Sequence, residues 1–234
     1  MHYKYFFSDV EEFCVPDVFK DIEYPWDALK NSKRLLNALL VDNNVHEMNG
    51  EALGSVHFYD NYSIGKGTTI YNDVTIMGPV FIGENCLVMP GAIIRPGTII
   101  GNDCVIGHGC EIKNSIVLNR AKIQSLTFVG DSVIGKSARV GSGTIVANRN
   151  FNQSNIIVKT DDGVIDIGVS FFGCVLGDNS RLGANCTTQP GTLIGKYCWV
   201  YPMTCVRGFV PEAKRVFYER SFVFKDNEKV DLNP

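Results

Sequence analysis

A branched aliphatic residue returns at every sixth position from Ile64 to Leu118, through Ile70, Ile76, Ile82, Val88, Ile94, Ile100, Ile106 and Ile112. Gly, Asn, Asp and Pro fill the positions between, as in IGENCL, VMPGAI, IRPGTI and IGNDCV. A period of six matches neither the 3.6-residue turn of an α-helix nor the two-residue alternation of an ordinary strand. It matches a hexapeptide β-helix, in which each sixth side chain points inward and three hexapeptides complete one triangular coil. Gly and Asn then fall at the corners, where the backbone angles exclude most other residues. The register returns at Leu176, Leu182, Thr188, Ile194, Val200 and Val206. The expected fold is all-β, a left-handed parallel β-helix over residues 63–210, a handedness opposite to the usual crossover preference.

The flanks read differently. Residues 8–11, Ser-Asp-Val-Glu, carry a capping-box signature for a short helix that Pro16 would end. In EYPWDALKNSKRLLNALLVDNN, Asp27 is placed to cap a helix with Trp26, Leu29, Leu36, Leu39 and Leu40 on one face. That helix is expected to lid the open end of the β-helix, which would otherwise expose apolar side chains and a strand edge. Residues 1–62 form this cap and, from Val45 to Tyr62, an irregular lead-in. Near Gln124 the register slips, with Ile123, Val129, Ile134, Val140 and Ile145 spaced six, five, six and five residues apart. Residues 147–170 leave the repeat as an extruded arm, in which NIIVK and VIDIG flank a turn at Asp161-Asp162-Gly163. Residues 211–234 are expected to form a tail, with a short helix opened by Pro211 through PEAKRVFYER and a last strand at SFVFK.

A net charge of −3, with no basic run and no interleaving of aromatic and basic residues, argues against a nucleic-acid partner. No apolar run is long enough to span a bilayer, and the opening MHYKYFFSDVEEFC places acids where a signal peptide would continue its apolar core. The expected location is the cytoplasm. Of the eight cysteines, Cys86, Cys104, Cys110, Cys186 and Cys198 each lie four residues after an inward aliphatic, a position that Thr68 and Ala92 fill elsewhere. They read as small buried hydrophobes. No C-x-x-C pair occurs and the four histidines form no ligand cluster with them, so no metal is expected.

From YPWDALKN through CVRG, about four-fifths of the chain, the sequence resembles the acyltransferase domain of bifunctional sugar-1-phosphate nucleotidylyltransferases, in particular the archaeal-type branch that makes UDP-N-acetylglucosamine. The blocks that carry the resemblance are GPVFIGENC, IIRPGT, IGHGCEIKNSIVL, FVGDSVIG, GSGTIVANRNF and LGANCTTQPGTLIG, in matching order and offset. The family's Gly-rich pyrophosphorylase signature is not in the sequence, which looks like the acyltransferase half alone.

The resemblance implies acetyl-CoA-dependent acetylation of an amino sugar 1-phosphate without a metal, in a homotrimer whose active sites are shared between subunits. It implies a phosphate clamp at Arg95 and Lys113, residue types suited to a doubly charged oxyanion. Asn148 would contact substrate and acyl group. Gly141, Ser142, Gly143 and Ala184 would approach the pantetheine arm and thioester, and Arg215 the adenine phosphate. Three departures stand out. Ser125 occupies the place of the family's general-base His, Phe128 that of a Tyr, and Arg139 that of a substrate-binding Asn. A serine hydroxyl cannot deprotonate an ammonium acceptor unaided, whereas an imidazole can near neutral pH.

His108 precedes Ser125 by about one coil, and both lie two residues after an inward aliphatic, so His108 should sit one rung away and act directly or through Ser125. Otherwise it is a corner residue of the GHGC block. The site therefore reads as that of an acyl-CoA-dependent transferase acting on a sugar phosphate or nucleotide-sugar precursor. The alternatives are a non-catalytic sugar-phosphate-binding protein and a structural subunit that partners a separate nucleotidylyltransferase. Arg95 and Lys113 repel each other unless an anion lies between them or each has its own carboxylate, with Glu111 a candidate.

Overall fold

The computed structural model describes residues 1–160 and 163–219. Three parallel sheets wrap a single apolar core. The first face runs from His46–Met48 to Phe209–Val210 and the second from Glu51–Ala52 to Arg215–Val216, with nine strands each. The third face runs from Val56–Tyr59 to Cys205–Val206 with eight. Strands of one face pair in parallel from coil to coil, as in Ile64 with Ile82 and Ile106 with Ile123. Inside lies the six-residue column from Ile64 to Ile112, each side chain fully buried. Asn85, Asp103, Asn179 and Asn185 turn corners in the left-handed backbone region, where a short polar side chain is tolerated.

The cysteines of the register are buried as expected. Each Sγ of Cys86, Cys110 and Cys198 lies 2.9–3.0 Å from a carbonyl of the next coil, and the Thr68 hydroxyl donates to Gly83 in the same way at 2.7 Å. A small side chain is what that position requires, as at Ala92, and where it is Cys or Thr it also donates to the next coil. Among the described residues no group of His, Cys, Asp and Glu could hold a metal, and no helix is long and apolar enough to cross a membrane.

Several boundaries differ from the sequence reading. The stretch from Val45 to Tyr62 is the first full coil, with His46 paired to Tyr62, Glu51 to Thr69 and Val56 to Val74. The register slips earlier than Gln124. Ile93 pairs with Glu111, eighteen residues on, but Ile99 pairs with Ile116, seventeen on. Val117 therefore points inward and Leu118 outward. Likewise Val146 enters the core while Ile145 is exposed. Among the described residues no helix forms after Pro211. A turn and the strand Arg215–Val216 add to the second face instead, pairing with Trp199–Val200. The SFVFK segment and the Asp161-Asp162 turn lie outside the described residues.

The N-terminal segment does not lid the end of the solenoid. It lies along the outer side of the first face, whose outward residues Ile99, Ile116, Val133, Val175 and Leu193 are fully buried beneath it and the arm. Pro16 begins a short 3-10 turn (Pro16–Phe19) rather than ending a helix. Helix α1 (Asp27–Leu36) buries Ala28, Ser32 and Leu36, with Leu40 just beyond, while Leu39 is exposed. Asp27 is its first residue and makes no capping bond. The arm forms the expected hairpin, Ile157–Thr160 with Gly163–Asp166, and folds back so that Ile156 and Val158 are buried. Phe172 is covered by Trp26, with ring centroids 6.2 Å apart.

Candidate active site

The corner between the second and third faces carries one column of candidate residues. Ile106 pairs with Ile123, Ile123 with Val140, and Val140 with Leu182. Two positions further on, His108, Ser125, Ser142 and Ala184 therefore stack one per rung, as their spacing requires. The backbone ties them together through Leu126 N–H to His108 C=O at 2.8 Å and Gly143 N–H to Ser125 C=O at 3.0 Å. His108 is exposed, and its Nδ1 lies 2.8 Å from the Pro90 carbonyl. A carbonyl only accepts, so Nδ1 carries the proton and Nε2 of the neutral ring keeps a free lone pair. Among the described residues no hydrogen bond joins His108 to the Ser125 hydroxyl, and the side-chain contact of the His108 ring is the Pro90 carbonyl.

Above this column a groove of about 380 Å³ opens over the upper rungs. Its floor is Gly141, Ser142, Gly183 and Ala184, and its walls include Arg139, Arg181 and Trp199. The floor must be small. A Cβ on Gly141 would stand 2.5 Å from the Gly183 backbone, and Gly143 turns with φ +71. Arg139 pairs in register with Arg181, and Trp199 with both Arg181 and Arg215. The Arg215 guanidinium lies 5.5 Å from the centre of the Trp199 ring. Cations and one indole thus line the second face beside a floor of bare backbone, a surface suited to a thin chain with an anionic end.

The remaining candidates gather at the corner between the third and first faces. Asp131 is 3% exposed and organises them. It accepts from Lys113 Nζ at 3.1 Å, Asn114 Nδ2 at 2.7 Å and Asn148 Nδ2 at 2.5 Å. Arg95 instead pairs with Glu111 at 2.7 Å. Each cation of the expected clamp therefore has its own carboxylate, and no bridging anion is needed to hold the pair. Lys113 Nζ also sits 4.6 Å from the Phe171 ring centre, with Arg149 over the same ring at 4.9 Å. Phe128 joins the two corners. Its Cζ and Asn148 Nδ2 both lie within 3 Å of where a Gly130 Cβ would stand. Within one chain, Asn148 is thus across the third face from His108 and Ser125.

Residues 76–167 match the GMPPB C-terminal domain family, and residues 174–200 match the hexapeptide repeat of succinyl-transferase. The bifunctional sugar-1-phosphate nucleotidylyltransferase/acetyltransferase of Sulfurisphaera tokodaii is 34% identical over 184 residues, covering 78% of this chain and 44% of that protein. The bifunctional protein GlmU of Methanococcus maripaludis (strain C7) is 32% identical over 212 residues, covering 91% of this chain and 48% of that protein. This chain is homologous to the C-terminal regions of GlmU-type bifunctional proteins. It spans about half the length of those relatives. A solved UDP-N-acetylglucosamine acyltransferase superposes with a TM-score of 0.50 at 18% identity, covering 74% of this chain and 68% of that one. The fold is accordingly the left-handed parallel β-helix of that acyltransferase. Sequence reasoning missed three of its residues, Asp131 and Asn114 at one corner and Arg181 in the groove. The signal was there in the coil length, since Asp131 follows Asn114 by seventeen residues, the spacing that pairs Ile112 with Val129 and Lys113 with Gly130.

Proposed function

We propose that this domain transfers an acyl group, in the first instance acetyl from acetyl-CoA, to a sugar phosphate or nucleotide-sugar precursor. The observation carrying this reading is the small-floored groove of Gly141, Ser142, Gly183 and Ala184, which lies on the same corner as His108 and one rung above Ser125. A pantetheine chain fits a floor whose side chains are no larger than that of Ser142, with its nucleotide end toward Arg181, Trp199 and Arg215. Acetyl-CoA, when bound, supplies the thioester carbonyl. His108 Nε2 takes the proton from the attacking amine or hydroxyl as the new C–N or C–O bond forms and the C–S bond breaks. Lys113, Asn148 and Arg95 hold the acceptor, with Asp131 fixing the first two.

The separation of His108 from Asn148 across the third face favours a site completed by a second copy, hence a homotrimer with closed cyclic symmetry. Exposed Tyr59, Met77, Ile93 and Ile145 on that face give the copies an apolar surface to bury. We place the activity in the cytoplasm, where acyl-CoA and nucleotide sugars are made. The test is acetylation of glucosamine 1-phosphate by the full chain. Activity should fall roughly 10²–10⁴-fold in His108→Ala, the range for a lost general base. No measurable binding of acetyl-CoA to the wild-type chain would refute the transferase reading and leave a binding or structural role.

A further inference from the structure

Helix α1 walls a second cavity, which shares Lys113 and Asp131 with the corner described above. Two hollows of about 280 and about 290 Å³ run between α1 and the corner of the third and first faces, and they share Lys33 and Asn114. At one end the lining is mostly apolar, with Leu29, Val169 and Phe171, and its remaining charges, Asp27 and Lys30, offset each other. At the other it is polar, with Lys113, Asn114 and Asp131 beside Pro96 and Gly97. A concave surface with an apolar end and a few converging polar groups is the ordinary form of a small-molecule site.

The charges at the waist of this groove do not cancel. Lys113 is matched by Asp131 at 3.1 Å. Lys33, exposed and in the last turn of α1, has no carboxylate within 4 Å among the described residues and no other recorded partner. It projects into both hollows from a helix held rigidly by Ala28, Ser32 and Leu36 beneath it. An uncompensated cation on a rigid element, opposite a lysine already fixed in place, is a site for one face of an anion. The apolar end suits the C–H face of a sugar ring, against Phe171 in particular.

We infer that Lys33 is a substrate-binding residue, closing on the phosphate of a sugar phosphate whose ring lies toward Phe171. The inference rests on the acceptor class proposed above and adds to it a residue from outside the β-helix. Helix α1 then forms a wall of the acceptor site.

Titration calorimetry of the full chain with glucosamine 1-phosphate, and with glucosamine as the phosphate-free probe, tests it. Because Lys33 is exposed, its replacement leaves the fold intact, which circular dichroism checks. Lys33→Ala should weaken glucosamine 1-phosphate binding by about 10- to 100-fold, as for a lost charged hydrogen bond. Lys33→Arg should retain most of it. Affinity for glucosamine and for acetyl-CoA should be unchanged in both variants. Equal affinity of wild type and Lys33→Ala for the sugar phosphate overturns the inference alone. An equal loss of glucosamine binding also overturns it, because the residue would then act by shape and not by charge. If the wild type binds no sugar phosphate, this inference and the acceptor reading fall together.

Discussion

Asp178 sits where the N-terminal segment meets the coils, and its ionisation should be visible in the stability of the whole chain. The carboxylate is 3% exposed. It accepts from the Ser8 and Lys136 backbone N–H groups, each at 2.7 Å, while its own N–H donates to the Phe6 carbonyl at 2.9 Å. Burial pushes its pKa from 3.8 up to about 6, against the opposing pull of those two donors and of Lys196 and Lys136. The native state therefore holds this proton more tightly than the unfolded chain. Stability from this group is fully present below pH 3.8, and is lost as pH rises through about 6. The full shift corresponds to about 3 kcal/mol. That figure already includes the pull of the two N–H donors, and between pH 8 and pH 5 only part of it develops, about 1–2 kcal/mol, because the unfolded carboxylate is still ionised there. In a chain of this size that is roughly 2–8 °C in Tm. The assay is thermal or urea unfolding of wild type and Asp178→Asn from pH 8 to pH 5. Taking the difference between the two proteins removes every other titrating group. The wild type should gain on the variant as pH falls. A flat difference, or a wild type that loses ground on acidification, would refute the reasoning and mean that the two N–H donors outweigh burial.

Three further outcomes are expected. Asp131→Ala should cost about 2–4 kcal/mol, since it removes a buried carboxylate from Lys113, Asn114 and Asn148 together; calorimetric unfolding reads this, and an unchanged Tm would mean the cluster is held without it. In the separated subunit a thiol reagent should modify Cys205 fast and the other seven cysteines slowly, because Cys205 is exposed while burial pushes Cys14 and Cys174 up to about 12 and raises Cys104 and Cys110; peptide mapping after a timed pulse identifies the site, and assembly should slow it, because Cys205 continues the column of Ile145 and Thr187 on the third face. Ser125→His with Phe128→Tyr should raise acetylation of glucosamine 1-phosphate if loss of the family's base is the main defect, and should lower it if His108 already serves, through crowding one rung above it; steady-state rates with and without Arg139→Asn separate the two.

The coil architecture was readable because a six-residue period has few physical interpretations. Its register failed at Val117-Leu118 and Ile145-Val146, where two adjacent aliphatics left the inward one undetermined until the shortened coil was seen. The first coil was missed because six-residue steps back from Ile64 meet Phe58, Ala52 and His46, where no branched aliphatic stands, although Asn49-Gly50 and Gly54 mark its corners. The place of the N-terminal segment was legible in principle. Ile99-Ile100, Ile116-Val117, Val133-Ile134, Val175-Leu176 and Leu193-Ile194 are apolar doublets on one face, and a strand apolar on both sides needs cover on both. At the candidate site, the spacing of one coil correctly put His108 beside Ser125. It left open whether Arg95 and Lys113 share an anion or each have a carboxylate, with Glu111 named for the second case, and side-chain reach across rungs decides for Glu111 on Arg95 and Asp131 on Lys113.

A solenoid transmits stability only from each coil to the next, so its ends fray independently of its middle. Here the N-terminal segment and the arm bind outward side chains from Phe81 to Phe209, seven successive strands of the first face, into one continuous apolar seam. That seam acts as a splint. Coils that never touch share the same covering chain, and opening any one of them must lift a piece that the others also hold. A one-dimensional stack is thereby turned into a single cooperative body, and the corners that carry His108 and Asp131 inherit the stiffness of the whole.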